Sequence, residues 1–203
     1  MPLIDVPTVH AVTDTEILLD PQFRALAEQV FGALGPKGAV HLRGPGVSAA
    51  RLLELAVELA PAAAASGGLL VINDRVDVAL AAGGAAVRVT TRSLSPADAR
   101  SLIGTAALGV GVHAVSEAHA SRAAKPDWLI AGNIHETASH PARPGRGLDF
   151  ISEVAAVEIP VIAIGGIGPK DAVTIRAAGA HGVAAIRGIW HAADPARAAA
   201  GYL

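Results

Sequence analysis

"AVHLRGPGVSAARLLELAVELAPAAAASGGLLVIND", residues 39–74, decides how this chain folds. A short β-branched run from Ala39 gives way to a capping residue, Ser48, then to a stretch with helical periodicity, then to a second β-branched run from Leu69. Strand, helix, strand in that order means parallel pairing through a crossover. Outward in both directions the unit recurs. Runs of the same kind begin at Val9 ("VHAVTD"), Ala85 ("AAVRVTT"), Ala107 ("ALGVGVH"), Trp128 ("WLIAGNI"), Val161 ("VIAIGG") and Gly182 ("GVAAIRG"), eight with the two already quoted. Helix openings with a capping residue and a proline in the first turn stand at Asp20 and Pro21, Ser95 and Pro96, and Asp194 and Pro195, and "KDAVTIRAAGA" stops on Gly179.

Eight units in 203 residues is about 25 residues each, close to the minimum for a closed (β/α)8 barrel. The expected fold is therefore an α/β TIM barrel, a single domain over residues 1–203. An open doubly wound sheet is the structural alternative, and it is disfavoured because no dinucleotide-type glycine fingerprint follows the first strand.

Composition narrows the function. With 52% hydrophobic and 17% charged residues and a net charge of -2, the chain is neither disordered nor a general polyanion binder, so nucleic acid is not an expected partner. The absence of cysteine excludes disulfides, thiolate metal sites and a thiol nucleophile. The opening "MPLIDVPTVH" has no basic region with an apolar core, and "LAPAAAASGGLLVI" is broken by Pro and Gly short of a membrane span. The expectation is a soluble cytoplasmic protein acting on a small molecule, with homo-oligomerisation left open.

In a TIM barrel, chemistry sits at the C-terminal ends of the strands. "IAIGGIGP" places Gly165 and Gly166 where a strand turns into a helix, letting backbone N–H groups approach an anion, and "AAIRGIW" sets Arg187 and Gly188 one unit later. These are the last two units, where many barrels hold a phosphate. Arg43 and Asn73, at two other strand ends, join the candidate binding set. The loop after the sixth strand, from His135 to Gly147, is about thirteen residues long against a usual two to six, which marks it as functional, and its hydroxyls Thr137 and Ser139 are further phosphate-binding candidates. Asn133 and His135 are two apart, so strand alternation would send both toward the barrel mouth.

Histidines fall in four strands or at their ends: His10, His41, His113 and His135. Converging on one mouth, they would form a proton-transfer set. His135, His113, Asn133 and His41 are the catalytic candidates. No HxH or HExxH spacing is present, so no metal is expected, and no cofactor either. Asp74 is read as the cap of the helix "RVDVALAAG".

The segments "VHAVTD", "VHLRG", "VINDRVDVAL", "GVGVHAVSEA", "NIHETASHPARPGRGLD", "PVIAIGGIGP" and "GVAAIRGIW" resemble, in order and over nearly the whole chain, the thiamine phosphate synthase and TenI-like family of (β/α)8 barrels. The resemblance implies thiamine biosynthesis and a phosphorylated thiazole ligand. Its synthase branch asks for Gln-x-Arg-x-Lys at the end of strand two, an Asp after strand four for magnesium and a Lys in the loop after strand six. This chain has His41, Arg43 and Pro45, then Ser93, then His140. Those replacements, with "HAVTD", "HLR" and "SLSPADAR", are closer to the TenI-like branch, which implies an isomerase that aromatises a thiazole carboxylate phosphate by histidine-mediated proton transfer. Two departures remain: Asn133 stands where that branch has its acid/base His, a role that would pass to His135 with His113 in reserve, and Arg187 stands where the family often has Ser. The alternatives are thiamine phosphate synthase itself and a non-catalytic phosphate-ligand-binding barrel.

Overall fold

The computed structural model describes residues 4–136 and 144–203. All eight expected runs form strands: β1 (Val9–Val12), β2 (Gly38–Leu42), β3 (Leu69–Asn73), β4 (Ala86–Val89), β5 (Leu108–Val112), β6 (Trp128–Gly132), β7 (Val161–Ile164) and β8 (Gly182–Ala185). Each pairs in parallel with the next, and β1 pairs with β8, which closes the barrel and removes every sheet edge. Ser48, Ser95 and Asp194 cap their helices as expected, each accepting from a backbone N–H. Asp14 does the same for Thr15–Leu19, whereas Asp20 accepts from Gln22 N without capping the helix Phe23–Leu34.

Two apolar layers hold the barrel. The outer one packs helices on strands and includes Phe23, Phe31, Leu55, Leu59, Leu108 and Leu129; the inner one fills the barrel itself with Val12, Val71, Trp128, Ile130 and Ile162 among small residues. Trp128 occupies the inner layer because β5 opposite it carries glycine. A Cβ at Gly109 would stand 2.3 Å from the indole.

Inside, the two halves differ. β5–β8 contribute glycine, alanine, isoleucine and Trp128, while β1–β4 contribute His10, His41, Asn73 and Arg88, all buried. Arg88 lies opposite Asn73 in the β3–β4 register. A polar diagonal thus climbs through one half of an otherwise apolar barrel.

Candidate active site

The diagonal begins where His10 Nε2 lies 3.0 Å from the Pro7 carbonyl; His10 Nδ1 is 2.8 Å from His41 Nε2, and His41 Nδ1 is 3.0 Å from the Asn73 amide. Burial is the main force on both imidazoles. It pulls His10 down to about 3, against the hydrogen bond to Pro7, and pulls His41 well below its ordinary value, with His10 adding to the effect. Both rings are therefore neutral at pH 7.

Neutrality sets the direction of every bond. A carbonyl only accepts, so His10 is protonated on Nε2 and its Nδ1 accepts from His41 Nε2–H, leaving His41 Nδ1 as an acceptor. Asn73 must then donate through Nδ2, so its amide nitrogen is the atom that faces His41 Nδ1 at 3.0 Å. Nitrogen NMR at pH 6 should show both rings as neutral Nε2–H tautomers; a signal from an imidazolium would reverse the amide and the argument.

Above the diagonal, at the C-terminal ends of the strands, opens a cavity of about 750 Å3. That is the size of a small-molecule site. Arg43, Arg75, Arg88, Arg92 and Arg187 line it against two carboxylates, Asp14 and Asp74. Burial lowers the pKa of Arg43, with Arg92 adding and Asp74 and Asp14 opposing. Asp74 does not cap the helix after β3. Its φ is 62°, and its Oδ1 accepts from both Thr90 N and Thr90 Oγ1 at 2.8 Å, tying the end of β3 to the end of β4. Asp14 accepts from Ile17 N.

This donor set does not fit a divalent cation. Among the described residues no three His, Asp or Glu side chains gather, the Asp74 carboxylate is engaged by Thr90 and faced by arginines, and the Ser93 hydroxyl donates to the Asp74 carbonyl.

The opposite rim is built from β6–β8. Gly165 and Gly166 line the cavity with φ of 110° and 66°, as do Arg187 and Gly188. The glycines answer to the backbone beside them as well as to any ligand. A Cβ on Gly165 would stand 2.6 Å from Asn133 Cβ, and one on Gly166 would stand 2.6 Å from the Glu136 carbonyl oxygen and 2.8 Å from His135 Cβ.

The four histidines do not gather at one mouth. His10 and His41 lie inside the barrel with ring centroids 5.0 Å apart, fully buried, so His41 offers no proton to a ligand above. His113 lines the cavity and lies 3.8 Å from Glu117. β6 ends at Gly132, so strand alternation does not carry as far as Asn133 and His135. Asn133 lines the cavity, while His135 is half-buried beside Gly166 and outside the cavity lining. Thr137, Ser139 and His140 lie outside the described residues. Arg88 and Arg92 are missing from the reading of the sequence; the signal for Arg88 was a charged residue alternating with Ala86 in a strand whose two faces are both covered.

The profile of thiamine monophosphate synthase matches residues 9–189. The chain belongs to the thiamine monophosphate synthase family. Within that family it is 36% identical over 194 residues to the thiamine-phosphate synthase of Chloroflexus aurantiacus, covering 95% of this chain and 88% of that one. It is 42% identical over 150 residues to the thiamine biosynthesis bifunctional protein ThiM/ThiE of Symbiobacterium thermophilum, of which it spans 31%. The thiamine phosphate pyrophosphorylase of Pyrococcus furiosus superposes with a TM-score of 0.84 at 25% identity, over 96% of this chain and 93% of that one. None of these family members bears a tautomerase name, so the expected place in the TenI-like branch draws no support from them.

Proposed function

We propose that the protein is a transferase of the thiamine-phosphate synthase type, joining a pyrimidine methyl diphosphate to a thiazole phosphate. The thiazole nitrogen forms a bond to the methylene carbon as the carbon–oxygen bond to diphosphate breaks, and pyrophosphate leaves. The observation that carries this reading is the two-ended cavity, with arginines on the β2–β4 rim and the paired-glycine turn with Arg187 on the β7–β8 rim. Strands three and seven face each other across an eight-stranded barrel, so the two rims suit a ligand pair carrying anionic groups at opposite ends. Charge builds on the departing diphosphate, and fixed cations there stabilise it without reorganising. The names of the full-length relatives support the same reaction.

Proton transfer has less support. Of His41, His113 and His135, His113 alone lines the cavity.

Incubation with both substrates, with and without magnesium, should yield thiamine phosphate, and Arg43→Ala should slow it roughly a hundredfold, the usual effect of removing one charge-stabilising donor. No product above the protein-free rate would overturn the proposal. A change in ultraviolet absorbance with a thiazole carboxylate phosphate would then restore the isomerase, and a raised melting temperature with thiazole phosphate alone would leave a binding protein.

A further inference from the structure

Arg88 carries more charge into the barrel than the fold needs. It is 8% exposed and lines the cavity, and its Nε has no hydrogen-bond partner among the described residues. Burial pulls its pKa down to about 10, with Asp74 opposing and Arg43 and Arg92 adding. A cation kept out of water without a carboxylate of its own weakens a fold, so its retention at the floor of a cavity calls for an anionic partner from outside. Asp74 and Asp14 are the carboxylates that face these arginines; Thr90 already donates two hydrogen bonds to Asp74 Oδ1, and Asp14 accepts from Ile17 N. Arg43, Arg88 and Arg92 against Asp74 and Asp14 leave about one positive charge over. Guanidinium forks match phosphate oxygens in pairs.

We propose that Arg43, Arg88 and Arg92 form a diphosphate subsite on the β2–β4 rim that works without a divalent cation, the three guanidiniums supplying the neutralisation a metal would otherwise give. The identity of the anion as a diphosphate rests on the synthase reading; the metal independence rests on the donor set alone. Arg88 is the organising member, because β4 and β5 hold it in place. A Cβ at Gly111 on β5 would stand 2.5 Å from its Nη2.

The test is calorimetric titration of the full chain with inorganic pyrophosphate, in EDTA and in magnesium, with orthophosphate as the reference for a single phosphate. Pyrophosphate should bind in EDTA with an affinity within about threefold of that in magnesium, and Arg88→Met should weaken it roughly thirtyfold, the worth of a charge-assisted hydrogen-bonded contact. Arg88→Met should also raise the melting temperature of the ligand-free protein, since it removes a buried charge without a counter-ion. If that variant shows no cooperative melt, Gly111→Ala, which keeps every charge and crowds the guanidinium, and the exposed Arg92→Gln take its place, each weakening pyrophosphate in EDTA. Binding that requires magnesium, or that is unchanged in these variants, overturns the proposal.

Failure here and failure of the synthase reading look different. Metal-free, Arg88-dependent pyrophosphate binding with no thiamine phosphate formed removes the reaction and leaves the subsite. Thiamine phosphate formation that stops in EDTA, with pyrophosphate affinity unchanged by Arg88→Met, removes the subsite and leaves the reaction.

Discussion

Lowering the pH from 7.5 to 5.0 at fixed ionic strength is expected to cost the fold about 2 kcal/mol through His10, with His41 adding in the same direction. The source is His10 and His41. Both are neutral in the barrel, with His10 held down to about 3 and His41 well below its ordinary value. In the unfolded chain each titrates near 6.5. As the pH falls below that value the unfolded state takes up two protons that the folded state refuses. Stability is therefore full above about pH 6.5 and is lost at about 1.4 kcal/mol per pH unit for His10, down toward pH 3 where it protonates, with His41 adding in the same direction. Over the 1.5 units from 6.5 to 5.0, His10 gives the figure above and His41 adds to it. Urea unfolding at a series of pH values measures it directly, and the double variant His10→Gln, His41→Gln should show a flatter profile whatever its absolute stability. A parent protein as stable at pH 5.0 as at 7.5, or a double variant with an unchanged slope, would refute the neutral chain.

Gly165→Ala should destabilise the protein by about 3 kcal/mol or more, lowering Tm by roughly 6–12 °C for a domain of this size. The residue leaves β7 with φ at 110°, outside what an L side chain adopts readily, and the added Cβ would meet Asn133 Cβ at 2.6 Å, Asn133 Cα at 2.8 Å and Ile134 N at 3.1 Å. These are backbone and near-backbone atoms, so no rotamer change relieves them. The same turn stitches β6 to β7, with Ile134 N donating to Ile164 O and His135 N to Gly165 O, both at 3.0 Å. Alanine there pushes two strand ends apart at the cavity rim. Scanning calorimetry reads the shift, and a Tm within 2 °C of the parent would show that the rim relaxes around the new methyl group.

The residues that define the fold lie close together along the chain. Each strand announces itself by a β-branched run and each following helix by a cap, as at Ser48 or Ser95, because backbone geometry and capping are local chemistry. Eight repeats in a chain of this length then leave little besides a closed barrel. The glycine pair at 165–166 was legible for the same reason: a strand-to-helix turn with positive φ needs glycine within a few residues. Asp74 was misread by that logic. Its neighbours in sequence suggested a helix cap, but its hydrogen-bond partner is Thr90, sixteen residues on, delivered by the β3–β4 pairing.

The histidines separate the two kinds of information most clearly. Four imidazoles at or near strand ends are visible in the chain, but which of them meet depends on barrel register and on where each strand stops. Register brings His10 against His41 across 31 residues, and the early end of β6 sends Asn133 and His135 to different surroundings. Burial then decides chemistry, since an imidazole sealed inside the barrel stays neutral while one at the rim can reach a ligand. Sequence alone thus determined the barrel and its paired-glycine turn, because both follow from short-range backbone constraints. Tertiary structure alone decided which polar groups are sealed in and which, like Arg88, face the cavity, because that depends on contacts between strands far apart in the chain.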